Sequence, residues 1–101
     1  MSDTSLTESG DRRWDLAGPL DFSSVPRIWP ALEKALQSGD GMTLSLSSVS
    51  RANSAGLVLL IEALDLARRS GCRLRLYDVP SELLDLAGMS SCEELIRENA
   101  A

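Results

Sequence analysis

Residues 44–71 read LSLSSVSRANSAGLVLLIEALDLARRSG, and this stretch decides the fold. A short strand over 42–46 runs into a polar loop, which delivers Asn53 and Ser54 to the start of a long apolar helix. Ser54 is placed to act as N-cap, its hydroxyl accepting from a backbone N–H of the first turn. Gly56, inside that turn, removes a side chain where strand, helix and any partner approach closely. The helix runs over 55–70 and stops at Gly71. At 100° per residue, Leu57, Leu60, Leu64 and Ala67 form its inner face, and Val58, Glu62, Asp65 and Arg69 its outer one. Asp65 and Arg69 are spaced as an i,i+4 ion pair. Leu59 and Leu66 lie on one flank beside Ala55, where they either pack under a neighbouring helix or join a partner surface. The loop thus presents a hydroxyl, an amide and unbonded N–H donors at the positive end of a helix. That suits an anion, a phosphorylation event at Ser54 or a partner's polar loop. The plainer alternative is that Ser54 only caps the helix.

The chain has 101 residues, the size of one domain with one modest core. Its net charge of −5 argues against a nucleic-acid binder, because no basic stripe offsets phosphate charge. The longest apolar run, 55–61, falls far short of the roughly 20 residues that span a bilayer. The start, MSDTSLTESGDRR, lacks a charged-then-apolar signal layout, so a cytoplasmic protein is expected. Cys72 and Cys92 are too few and too far apart for a zinc motif, and read as reduced, packed thiols. Histidine is absent, which removes the commonest general base and metal ligand together. There is no Gly-rich phosphate loop and no GxSxG elbow. The expectation is therefore a protein that is not an enzyme and takes no cofactor or metal.

Elsewhere the chain alternates strands and helices. Residues 1 to about 11 read as a frayed or edge-strand start, and RWDL (13–16) as a short strand. A break at Gly18-Pro19 precedes a second brief segment around Leu20. Ser23 or Ser24 then leads into Val25, Ile28, Leu32 and Leu36 at helical spacing. Pro30 lacks a donor, which should loosen the first turn or move the helix start to about Trp29. Trp29 falls at the edge of the apolar stripe. It is either a core-edge ring covering the sheet or an interface anchor. Ser38-Gly39-Asp40-Gly41 turns the chain into the strand over 42–46. LRLY (74–77) is a strand with Arg73 and Arg75 outward. A third helix follows, capped by Ser81 and ended by Gly88, and Ser90-Ser91 opens a short last one. The order strand, strand, helix, strand, helix, strand, helix, helix predicts an α/β layer with a mixed, mostly parallel sheet of about four strands.

At this point the chain resembles the STAS domain family, found in anti-sigma factor antagonists and sulfate-transporter tails. The likeness covers about residues 10–96. Its centre is the strand–loop–helix signature V-x-x-x-D-[ST]-[SGA]-G-L, here Val49-Ser50-Arg51-Ala52-Asn53-Ser54-Ala55-Gly56-Leu57. Within the family it is most similar to the small STAS subunits of Mla-type phospholipid ABC transporters of Gram-negative bacteria. GPLD (18–21), Ile28-Trp29, Val49-Ser50-Arg51 and LDLARRSG (64–71) carry that likeness. Two departures stand out. Asn53 replaces the family's usual acid, losing a charge but keeping an amide that can cap. Ser54-Ala55-Gly56 stands where the Mla-type chains tend to have Thr-Gly-Gly.

The resemblance implies a non-enzymatic cytoplasmic subunit that binds the ATPase subunit of a lipid ABC transporter and meets the membrane only through that complex. It implies a contact built from Ser54 with Asn53, Ala55 and Arg51 around it, and from Val58, Leu59 and Glu62 along the helix. Trp29 joins that patch if the first two helices lie side by side. The competing implication is an anti-sigma factor antagonist whose Ser54 is phosphorylated by a switch kinase. The replacement of the acid by Asn53 weakens the phosphoswitch and leaves docking untouched.

Overall fold

The computed structural model describes residues 3–100. The chain begins with an antiparallel pair, β1 (Ser5–Gly10) and β2 (Arg13–Leu20), with Thr7 opposite Asp15. Helix α1 (Val25–Gln37) crosses over to β3 (Gly41–Ala52), parallel to β2, and α2 (Ser54–Arg69) crosses to β4 (Arg73–Tyr77), parallel to β3. Helices α3 (Ser81–Met89) and α4 (Glu93–Glu98) complete the fold. The sheet order is β1-β2-β3-β4, the mixed, mostly parallel layer that the sequence predicts. Both crossovers step the same way along the sheet. Right-handed connections therefore put α1 and α2 on one face, where α1 packs against α2 and α2 against α3.

Alternation along the strands separates the two faces. Leu44, Leu46, Leu74 and Leu76 are buried beneath the helices, joined by Leu16 and Leu20. From above, Leu32, Leu36, Leu57, Leu60, Leu64, Leu83 and Ile96 close the core. The intervening positions, among them Arg13, Thr43, Arg73 and Arg75, line the open face and are exposed or half-buried.

Several local expectations are corrected. The two brief segments around Gly18-Pro19 are one strand, β2, whose register against β3 shifts at Asp15/Ala17 and Gly18/Pro19. Gly18 makes the second shift possible with φ of +91°, and a Cβ there would collide with the backbone of Asp3 and Thr4. Helix α1 starts at Val25 despite Pro30, which sits on an exposed position. Its C-terminal turn is held by Arg12, whose guanidinium donates to the carbonyls of Ala35 (2.9 Å) and Gly41 (2.6 Å). Strand β3 is longer than 42–46: it continues through the polar residues to Ala52, paired there with β2 alone. Pro80 rather than Ser81 occupies the cap position of α3, and Gly88 lies inside that helix. The last helix begins at Glu93, after Ser90 and Ser91.

Candidate functional site: the edge at the start of α2

The C-terminal ends of β2, β3 and β4 all feed helix starts, so the N-termini of α1, α2 and α3 share one edge of the domain. In parallel sheets this is the edge where loops collect chemistry. Leu20 and Ala52 stand opposite each other there, and the Asn53 N–H donates to the Leu20 carbonyl at 3.1 Å. Gly56 meets this point from above. A Cβ on it would lie 3.1 Å from the Cβ of Leu20 and 3.3 Å from that of Ala52, so the glycine lets α2 settle on the strand ends.

Asn53, not Ser54, is the N-cap of α2. Its backbone is extended (φ −118°, ψ −163°), and its side-chain oxygen accepts from the Ala55 N–H at 2.9 Å. Its own carbonyl accepts from the Gly56 N–H at 2.9 Å. The reading of Ser54 as the cap is therefore overturned. The amide reaches the first-turn donor that the hydroxyl was expected to satisfy, and the helix begins one residue earlier, at Ser54 itself. Ser54 is exposed, and among the described residues its hydroxyl makes no hydrogen bond. That leaves a neutral donor and acceptor at the positive end of a 16-residue helix.

Moving along α2, the outward stripe carries Val58, which is 54% exposed, and then Glu62, also exposed. Asp65 accepts from Arg68 at 2.9 Å and from Arg69 at 3.0 Å, and these hydrogen bonds hold its carboxyl below the usual carboxylate range. Arg51 is exposed at the end of β3. Two expected contact residues drop out. Leu59 is 1% exposed and Ala55 5%, both packed into the domain, and Leu66 on the same flank is buried as well. The flank is apolar because it belongs to the packed interior of the domain. Trp29 is half-buried and packs against the core from α1. The edge thus brings together Asn53, Ser54 and Val58, with Glu62 farther along α2 and Arg51 below.

One exposed side chain at this edge escaped the sequence reading. Phe22, in the β2–α1 turn, is 72% exposed. Its neighbours fasten the turn. The Asp21 carboxylate accepts from the Ser23 N–H (3.0 Å), the Ser23 hydroxyl (2.8 Å) and the Ser24 N–H (2.9 Å). Buried Ser24 accepts from the Asp21 N–H (2.9 Å) and donates to the Pro19 carbonyl (2.8 Å). The bonds from Ser23 and Ser24 hold the Asp21 carboxyl below its ordinary value. The signal was available as an aromatic residue inside the turn-forming run Asp21-Phe22-Ser23-Ser24.

Among the described residues no group of three His, Cys, Asp or Glu side chains is arranged to hold a metal. No described helix is long and apolar enough to cross a membrane.

The four-stranded mixed sheet roofed by helices is the fold of STAS domains. Among solved structures, the unphosphorylated anti-sigma factor antagonist SpoIIAA superposes with a TM-score of 0.70 at 15% identity, covering 97% of this chain and 85% of that one. A sulfate transporter family protein from Wolinella succinogenes gives 0.66 at 19% identity over 88% of this chain and 74% of its own. At such identities these likenesses establish the fold. The family follows from the sequence: the model described as "Mlab, STAS domain" matches residues 7–97, and the chain belongs to that family. It is 36% identical over 73 residues to the intermembrane phospholipid transport system binding protein MlaB of Escherichia coli K12, covering 71% of this chain and 72% of that protein. The protein of the same name from Shigella flexneri matches to the same extent.

Proposed function

We propose that this chain is a non-enzymatic STAS subunit of a Mla-type phospholipid ABC transporter. It docks through the Ser54 edge onto the cytoplasmic face of the transporter's ATPase subunit, and so serves the lipid asymmetry of the outer membrane. Membership of the Mlab STAS family supports the assignment to the transport system. The observation that carries the docking surface is Ser54. Asn53 takes the capping role, so the neighbouring hydroxyl stands exposed and unbonded beside Val58. A partner loop that pairs with this hydroxyl and covers Val58 gains a polar contact and apolar burial without unfolding anything. Binding shifts the ATPase toward an assembled, active arrangement by as much as the subunit prefers that state.

The test is capture from the native host with the tagged chain. Recovery of a nucleotide-binding ABC subunit supports the proposal. Recovery of a switch kinase with no ATPase overturns it in favour of an anti-sigma factor antagonist.

A further inference from the structure

We infer that Phe22 is an aromatic anchor of the same docking edge, entering an apolar socket with an acidic rim on the ATPase subunit. The inference rests on the docking reading above and names a contact that reading does not contain.

Position is the first argument. Leu20 and Ala52 are paired across β2 and β3, and the Asn53 N–H is bonded to the Leu20 carbonyl. Phe22 stands two residues beyond Leu20 as Ser54 stands two beyond Ala52, and the strands that end at Leu20 and Ala52 run about 4.8 Å apart. One partner surface laid over Ser54 and Val58 therefore continues onto Phe22.

Presentation is the second. A ring 72% exposed at a loose loop tip would have to be ordered on binding. Here the bonds to the Asp21 carboxylate, together with Ser24 bonded to Asp21 and Pro19, fix the backbone on both sides of the ring. The ordering entropy is spent in folding, which is what favours a rigid aromatic as an anchor. Among the described residues the ring is part neither of the core nor of the partly buried shell around it.

Charge complementarity describes the socket. The described ion pairs engage Arg68, Arg69 and Arg97, whereas exposed Arg27, in the first turn of α1, and Arg51, beside Ala52, take part in none. These two cations border the edge of a chain whose net charge is −5. Asp21, the carboxylate next to Phe22 in the chain, is turned into its own loop, while Glu82 opens α3 at the same edge and Glu62 lies farther along α2. An apolar socket rimmed by Asp or Glu fits that arrangement.

The experiment titrates the full chain against the purified ATPase subunit of the host's lipid transporter, comparing wild type, Phe22→Ala, Phe22→Leu and Ser54→Arg, with a thermal melt of each. The expected result is that Phe22→Ala weakens affinity about tenfold or more with an unchanged melting temperature, while Phe22→Leu retains most of it. If Ser54→Arg abolishes binding and Phe22→Ala binds like wild type, the anchor is refuted while the docking reading stands. Failure of the wild-type chain to bind refutes both. A large drop in the melting temperature of Phe22→Ala also refutes the anchor, because the ring then serves the fold.

Discussion

The Asn53 side-chain oxygen accepts from the Ala55 N–H at 2.9 Å, reaching over Ser54 and leaving its hydroxyl with no part in starting the helix. Capping and recognition are divided between adjacent residues, and they can be removed separately.

Asn53→Ala should cost about 1 kcal/mol of stability, the usual loss for an N-cap. Ser54→Ala should change stability by less than about 0.5 kcal/mol, as for an exposed position with no bonded role. Urea unfolding of the two variants decides the matter. Equal losses would return the cap to Ser54.

Binding should follow the opposite order. Ser54→Asp puts a negative charge at the positive end of α2, which the helix tolerates, but it places an unpaired charge in the contact. Ser54→Arg adds bulk and the opposite charge without removing the cap. Both variants should fold and lose the ATPase, whereas Ser54→Thr keeps the hydroxyl and binds within a few-fold of wild type. If Ser54→Arg binds as tightly as wild type, the docking edge is wrong.

Trp29 is half-buried against the core. Truncation to Ala should therefore cost less than the 3–5 kcal/mol, roughly, of a fully buried aromatic. A loss of about 2 kcal/mol in melts, with ATPase affinity down more than about tenfold, marks a ring that serves both fold and contact. Unchanged affinity in the folded variant would confine Trp29 to packing.

The turn at Asp21 predicts a pH dependence. The hydroxyl and N–H groups of Ser23 and Ser24 bond the charged carboxylate and lower its pKa from the ordinary 3.8. A carboxyl that binds protons less readily when folded stabilises the fold above its unfolded pKa. That contribution is lost as pH falls from about 3.8 through the lower folded-state value. Wild type should be more stable than Asp21→Asn at neutral pH, with the gap closing as the solution is acidified below that value. A gap independent of pH would show that the charge contributes nothing.

Element order was legible because apolar periodicity switches cleanly between 2 and 3.6 along this chain. The length of β3 was not. Beyond Ser45 the strand has a partner on one side only, so Ser47, Ser48 and Ser50 remain in solvent and read as a loop. The cap was misplaced because Asn and Ser are nearly equivalent caps, and the choice rests on the extended backbone of Asn53. Leu59 and Leu66 show the limit of an apolar flank: periodicity marks such a surface as covered, and the covering proved to be the domain's own packing. Val58 and Glu62 were placed correctly on the outside because they follow one helical stripe. Phe22 lies in no periodic element and gave no such signal.

Strand order in this sheet is the same as chain order, β1-β2-β3-β4. Each strand therefore finds its template already made by the segment before it, and none waits for a distant strand to be inserted between neighbours. The chain can be assembled in the direction of its synthesis, the β1–β2 hairpin first and each helix–strand unit added to the last open edge. The partners in each parallel pair, such as Arg13 with Thr43 and Gly41 with Arg73, are joined through a whole helix, so each addition is a slow step that leaves one edge open until the next unit docks. The final edge, along β4, is then partly shut by the residues after α4: the Leu76 N–H donates to the Asn99 carbonyl at 2.8 Å, and Leu76 bridges Ala100 in parallel. The newest edge in the order of synthesis is thereby the one that the chain's last described residues guard against pairing with a second nascent copy.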